Sequence, residues 1–287
     1  MRFRADWLRE VLTVPYVPIL GPVHPDVMDP AMFDEVIAAS RTGAVLPFDK
    51  DSRWTSTKPD TVLVDEIVHR PDHTIVPVLS RRGAGVVKTY FYGTAADHQA
   101  LREFTRRCCT AHGAAAGRII WFDTDPRSAS TRVLLKDLGA DPVPVHRNPA
   151  VRELGSLQPA QAATFTDFAT ALAEHGFGFL HRRREAGQVN GPILVAVHDA
   201  RVVGAIGPLN TLADRHGTTM LLPQYFGVLP DQHGRGHGRA LWRAAAAWGA
   251  RHGAAYQLLQ TAVGQASENL FLSEGLGSLG FACTVAV

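Results

Sequence analysis

The sequence predicts an α/β protein made of two similar halves in tandem. Three observations point there. Apolar runs of strand length alternate with amphipathic segments of helix length along most of the chain. Short words recur in the same order 135–141 residues apart. One strand-like run enters a glycine-rich turn that opens a helix near residue 233.

The elements follow in chain order. Residues 11–25 carry too many prolines for a helix. Asp29-Pro30 is a capping residue followed by proline at the first helical position, so a helix is expected over 31–40. Strands are expected over 61–68, 74–79 and 86–92. A helix over 97–111, a strand over 118–122 and a helix over 128–138 come next. Prolines 142, 144 and 149, with an aperiodic stretch over 153–159, set a boundary near residue 150. The halves are then 1–150 and 151–287. The second opens with a helix over 160–173. Apolar runs 193–198 and 201–206 form a hairpin around Asp199-Ala200. A long strand over 218–228 precedes the glycine-rich turn. A helix over 239–252, a strand over 256–263, a helix over 267–276 and a strand over 281–287 complete the chain.

The repeat pairs Ala111-His112-Gly113-Ala114-Ala115 with Arg251-His252-Gly253-Ala254-Ala255. Leu101 pairs with Leu241, Tyr90-Phe91 with Tyr225-Phe226, and Leu138-Gly139 with Leu279-Gly280. The offset grows where the second copy has its glycines. A duplication whose first copy lacks the phosphate cradle is the expected history.

The bulk numbers exclude several classes. A net charge of +2 gives no global field for a nucleic acid or a membrane surface. Cys108, Cys109 and Cys283 fit neither a disulfide framework nor a zinc spacing, so no metal and a reducing, cytoplasmic setting are expected. Residues 1–12 lack the apolar core of a signal peptide, and no apolar run reaches membrane-spanning length.

Residues 228–241, VLPDQHGRGHGRAL, carry the most chemistry. Alternating glycines at 234, 236 and 238 let an anion approach the backbone, and the following helix turns its positive end toward it. Leu241, Ala244, Ala245 and Trp248 give that helix an apolar face. No Gly-Lys-Ser/Thr follows, so this is not a P-loop, and the spacing misses the dinucleotide fingerprint. Read alone, the segment also suits a plain flexible strand–helix turn.

This segment resembles the acetyl-CoA-binding motif of the GNAT superfamily of N-acetyltransferases. Val228 and Pro230 match its apolar and proline positions, and Gly236 and Gly238 its glycines. His233 stands where arginine or glutamine is usual. Asn269, with Gly280-Phe281 after it, is similar to the family's last helix and its Leu-Gly-Phe turn. The resemblance implies two GNAT-like α/β domains in tandem, with mixed central sheets and flanking helices. It implies that acetyl-CoA or another acyl-CoA is the donor. The pyrophosphate would lie on the amides of Gly234, Arg235, Gly236, His237, Gly238 and Arg239, beside His233. The pantetheine arm would pair with Phe226 and Val228 and pass Asn269. An amine of a small molecule would be the acceptor.

The family's usual acid, a tyrosine on the last helix, falls here on Leu276, and Ser273 is the nearest substitute. The usual strand carboxylate is missing; Gln224 and Tyr225 stand there instead as candidates to hold a water and orient the acceptor. His175, His181 and His216 lie on the expected acceptor side. The basic run Arg182-Arg183-Arg184 reads either as a solvated helix end or as a phosphate clamp. Two rival functions stay open: transfer from an aminoacyl-tRNA or a carrier protein, with tRNA the lesser candidate, and a non-catalytic acyl-CoA-binding module.

Overall fold

Alternating strand and helix signals become alternating strands and helices in the computed structural model, which describes residues 3–125, 130–139 and 151–287. The chain begins with α1 (Asp6–Arg9), β1 (Tyr16–Val17), β2 (Gly21–Pro22) and α2 (Pro30–Thr42). Next come β3 (Asp60–Val62), β4 (Val68–Arg70), β5 (His73–Ser80), β6 (Val86–Gly93), α3 (His98–His112), β7 (Ala116–Asp123) and β8 (Ser130–Asp137). Then follow β9 (Val151–Glu153), α4 (Pro159–Ala163), α5 (Phe165–Ala171), α6 (Phe177–Glu185), β10 (Leu194–His198), β11 (Arg201–Gly207), β12 (Thr211–Ala213) and β13 (Thr219–Leu221). The last elements are β14 (Tyr225–Val228), α7 (His237–Arg251), β15 (Tyr256–Ala262), α8 (Ala266–Ser273) and β16 (Gly277–Ala286).

Two compact units result: Met1–Leu135 with Leu258–Val287, and Lys136–Gln257. This division differs from the expected cut at residue 150. The reason is β16, which pairs antiparallel with β7 on one side and with β8 on the other. The prolines that suggested the cut lie outside the described residues.

In the first unit the strand order runs β8-β16-β7-β6-β5-β3, and β4 also pairs with β5. Alternation along β6 sends Tyr90 and Tyr92 to one core, with Leu8, Met32 and Phe33, and Val87 and Phe91 to the other, with α3. Helix α3 buries Leu101, Phe104, Thr105 and Cys108, the spacing of one helical face. Each such large apolar side chain contributes roughly 1.5–3 kcal/mol by leaving water. Lys58 is buried; its Nζ pairs with Asp51 at 2.9 Å and donates to the Ile19 carbonyl at 3.0 Å, which fixes the covering segment.

In the second unit β9, β10, β11 and β14 form an antiparallel sheet with β14 at its edge. The turn between β10 and β11 has φ of 49° at Asp199 and 60° at Ala200, as a tight hairpin of the expected type requires. Strand β12 pairs with β13, and β13 pairs in parallel with β15 at Met220–Tyr256 and Leu221–Gln257.

Three expectations need correction. Residues 130–137 are a strand, not part of a helix, because β8 is a sheet partner of β16, far away in sequence. The expected strand 218–228 is two strands, because Pro223 supplies no N–H and interrupts the ladder. The expected strand 61–68 is β3, a 3-10 turn over Val64–Glu66, and the start of β4.

Candidate functional site

Strand β14 lies against β11 in the register Tyr225–Gly207, Phe226–Ile206, Gly227–Ala205 and Val228–Gly204. Helices press on both faces of the β11–β14 pair. A Cβ on Gly227 would lie 2.9 Å from Leu172 Cδ1 and 3.0 Å from Phe177 Cε2, so α5 and α6 press on one face. A Cβ on Gly204 would lie 2.9 Å from Leu241 Cδ1, so α7 presses on the other. Alternation puts Tyr225 with Gly227 on the α6 side, and its ring covers Gly176 so closely that a Cβ there would sit 2.4 Å away.

After β14 the chain makes a 3-10 turn over Pro230–Gln232 and reaches α7. Arg201 holds Asp231 at 2.8 Å, and Gln232 Nε2 donates to the same carboxylate at 3.0 Å. These hydrogen bonds, Gln232 first, keep the Asp231 carboxyl below its usual range. His233 Nε2 is 2.9 Å from the Val228 carbonyl, which ties the loop back to the strand.

Gly234 and Gly236 have φ of 77° and 81°, conformations that glycine adopts freely. Gly236 is the N-cap of α7, and no side chain caps that helix end. The opening amides of a helix have no intrahelical acceptor, so they present partial positive charge at one point. A Cβ on Gly234 or Gly236 would meet nothing within 4 Å. The glycines are there for backbone conformation and an open approach. The buried side of α7 carries Leu241, Trp242, Ala245 and Ala246; Trp248, expected on that face, is half-buried and stacks on His252.

The first unit contains the matching strand–helix–strand, β6-α3-β7, with two differences. Strand β6 pairs in parallel with β7 all the way from Val86 to Phe91, whereas the β13–β15 ladder ends at Leu221. Asp97 caps α3 with its own carboxylate, accepting from the amides of Gln99 and Ala100. A negative side chain thus occupies the helix end that α7 leaves open.

The model of the acetyltransferase (GNAT) family matches residues 160–276. These residues are a GNAT domain. No curated protein matches the chain by sequence. Among solved structures, a GCN5-related N-acetyltransferase from Sphaerobacter thermophilus is 12% identical, with a TM-score of 0.46 over 75% of this chain and 80% of that one. A tandem GNAT protein from the clavulanic acid biosynthesis pathway is 13% identical, with a TM-score of 0.49 over 88% and 92%. An acetyltransferase of the GNAT family from Colwellia psychrerythraea is 9% identical, with a TM-score of 0.47 over 91% and 97%.

Within this domain Gln224, Tyr225, Phe226, Val228, His233, Gly234, Arg235, Gly236, His237, Gly238 and Arg239 all fall on β14, the loop and the start of α7, or just before them. Gln224 is held on both sides: its Nε2 donates to the Leu222 carbonyl, and its Oε1 accepts from Gln257 Nε2 at 2.8 Å. Gln257 carries no motif that would have singled it out. Asn269 and Ser273 are exposed on α8, which belongs to the other unit. Ser273 Oγ donates to the Leu270 carbonyl at 2.7 Å, an ordinary helix bond. Leu276 is buried.

On the acceptor-side candidates, His216 is exposed in the turn between β12 and β13, and His175 is exposed before α6. His181 lies edge-on to Phe165 at 6.2 Å. Arg183 stacks over Phe179 and bonds Gln188, and Arg184 lies over Phe165 and bonds Glu185. Arg183 and Arg184 are thus engaged by α6 itself, by α5 and by the segment after α6. Among the described residues no cluster of three or more His, Cys, Asp or Glu suits a metal, and no helix is long and apolar enough to cross a membrane.

Proposed function

We propose that the chain is an N-acyltransferase that moves an acyl group, acetyl in the first instance, from acyl-CoA to an amine of a small molecule. The carrying observation is the uncapped, glycine-opened start of α7 at the end of edge strand β14. A diphosphate fits that helix end by charge and by access. An extended arm fits the edge strand by its backbone groups. On this reading the pyrophosphate lies at residues 234–239 and the thioester toward Tyr225.

In the reaction the amine nitrogen attacks the thioester carbonyl, the carbon–sulfur bond breaks, and an amide and the CoA thiol leave. The amine gives up a proton and the thiolate takes one. Buried Leu276 and helix-bonded Ser273 favour water as the proton donor to sulfur. Gln224, fixed by Gln257, and Tyr225, packed on Gly176, are the groups assigned to orient the acceptor. Alignment of the two reactants can supply up to roughly 7–11 kcal/mol of the barrier reduction, so positioning without a dedicated base is sufficient chemistry.

The test is thiol release from acetyl-CoA by the purified chain with a panel of primary amines. Amine-dependent release insensitive to ribonuclease supports the reading. Tight CoA binding with no release for any amine contradicts it and leaves a binding module.

A further inference from the structure

Strands β13 and β15 part beyond their last pair, Leu221–Gln257, because the chain turns away through Pro223 and joins β11 as β14. The side chains of Gln224 and Gln257 meet where the strands part, Gln257 Nε2 donating to Gln224 Oε1 at 2.8 Å. One acceptor fixes the orientation of both amides. The Leu222 carbonyl can only accept, so Gln224 turns its Nε2 there and its oxygen to Gln257. Gln257 must then offer its nitrogen, and its own Oε1 is left over. That oxygen is buried without a hydrogen-bond partner, in a residue that is 0% exposed. The neighbouring Tyr256 points to the opposite side of the strand, where its hydroxyl donates to Asp214 at 2.9 Å. A buried acceptor is unfavourable until a donor reaches it.

The donor must carry an N–H or O–H and come to Gln224. On the transfer reading the thioester lies toward Tyr225, the next residue. An acetyl group has no such hydrogen, and the amide N–H groups of the pantetheine arm pair, on that reading, with the backbone of β14. The attacking amine is the remaining donor. We propose that Gln257 Oε1 accepts a hydrogen bond from the nitrogen of the acceptor amine and aims its lone pair at the thioester carbon. This rests on the transfer reading above and deepens it. Gln257 becomes a residue that touches the substrate, not only the prop of Gln224. The carbon–nitrogen bond forms and the carbon–sulfur bond breaks. The nitrogen of a primary amine keeps the hydrogen shared with Oε1 and loses the other to water, and the thiolate takes a proton from water. An amide oxygen suits this task better than a carboxylate, which would favour the charged ammonium, a form with no lone pair.

Steady-state thiol release by the full chain tests this, with acetyl-CoA saturating and a primary amine varied. The proteins are wild type, Gln224→Met, and Gln224→Met combined with Gln257→Met, each also titrated with CoA by calorimetry. With Gln224 already replaced, Gln257 has nothing left to prop. The second substitution should still lower kcat/KM for the amine by about a further tenfold, the loss of one hydrogen bond. CoA affinity should stay within about twofold, which also shows that the variant is folded. If the double variant fails to bind CoA, Gln257→Asn in the same background, which withdraws the oxygen by one methylene and keeps the amide, gives the same readout. Equal kcat/KM with and without the change at Gln257 overturns the contact and leaves the transfer reading standing. CoA binding by wild type with no amine-dependent release overturns the transfer reading and the contact with it.

Discussion

Gly236→Ala and Gly236→Glu separate backbone strain from ligand repulsion at one position. Gly236 has φ 81° and ψ 0°, left-handed geometry that costs a residue with a Cβ roughly 1–2 kcal/mol. A Cβ there meets no atom within 4 Å, so no clash adds to the strain. Both variants should therefore lose about the same stability, and each kcal/mol lowers Tm by about 2–4 °C for a chain of this order. The donor separates them. A carboxylate about 6 Å from one bound phosphate charge repels it by about 0.7 kcal/mol at an effective dielectric of ~80 and by about 2.8 kcal/mol at ~20. That is roughly a three- to hundredfold loss of affinity beyond alanine. Calorimetry with CoA, beside thermal melts of all three proteins, reads both quantities. Added salt should narrow the gap between the variants. Equal CoA affinity for the alanine and glutamate variants would refute a phosphate at this helix end.

Three further outcomes follow from particular contacts. Gly176→Ala puts a Cβ 2.4 Å from the Tyr225 ring, so thiol release should fall while CoA affinity stays within about twofold; unchanged release would remove Tyr225 from the acceptor site. Leu276→Tyr overpacks a buried position and should cost about 1–3 kcal/mol in a melt; an unchanged melt with faster thiol release would mean that the position opens on the sulfur. Glu268 accepts from Arg132 Nε and from the Gly264 amide, both at 2.6 Å, and these bonds, Arg132 first, hold its carboxyl below the usual range. A depressed folded pKa stabilises fully above the unfolded value, about 4.5, and the effect fades as pH falls through the folded one. Glu268→Gln should therefore cost about 2–3 kcal/mol at neutral pH and lose less stability than wild type in acid, as urea melts at about pH 7 and pH 4 would read. Equal acid slopes would contradict this.

Local signals in the sequence carried far. Asp29 caps α2 by accepting from the Met32 amide, as the Asp-Pro pair implied. The hairpin at Asp199-Ala200 and the glycine conformations at 234 and 236 follow from residue type and spacing. What stayed hidden is long-range. Residues 130–137 look helical alone and become a strand because residues 277–283 pair with them. The same pairing draws the C-terminal segment, Asn269 and Ser273 included, into the first unit, which no linear boundary expresses. Ordering of the repeat also fails there, since its first copy has a strand where a helix was expected. His198 meets Arg235 across 37 residues, and Gln257 meets Gln224 across 33, with no motif joining either pair.

The stoichiometry of acetyl-CoA binding to the full chain bears most directly on the central claim. In one unit α7 opens its amides through glycines, and in the other Asp97 already covers the amides of α3. Isothermal titration should therefore give one site per chain, weakened by Gly236→Glu and unaffected by Asp97→Ala, which should cost only about 1 kcal/mol of stability as a lost cap. Two equivalent sites, or no binding at all, would contradict the account.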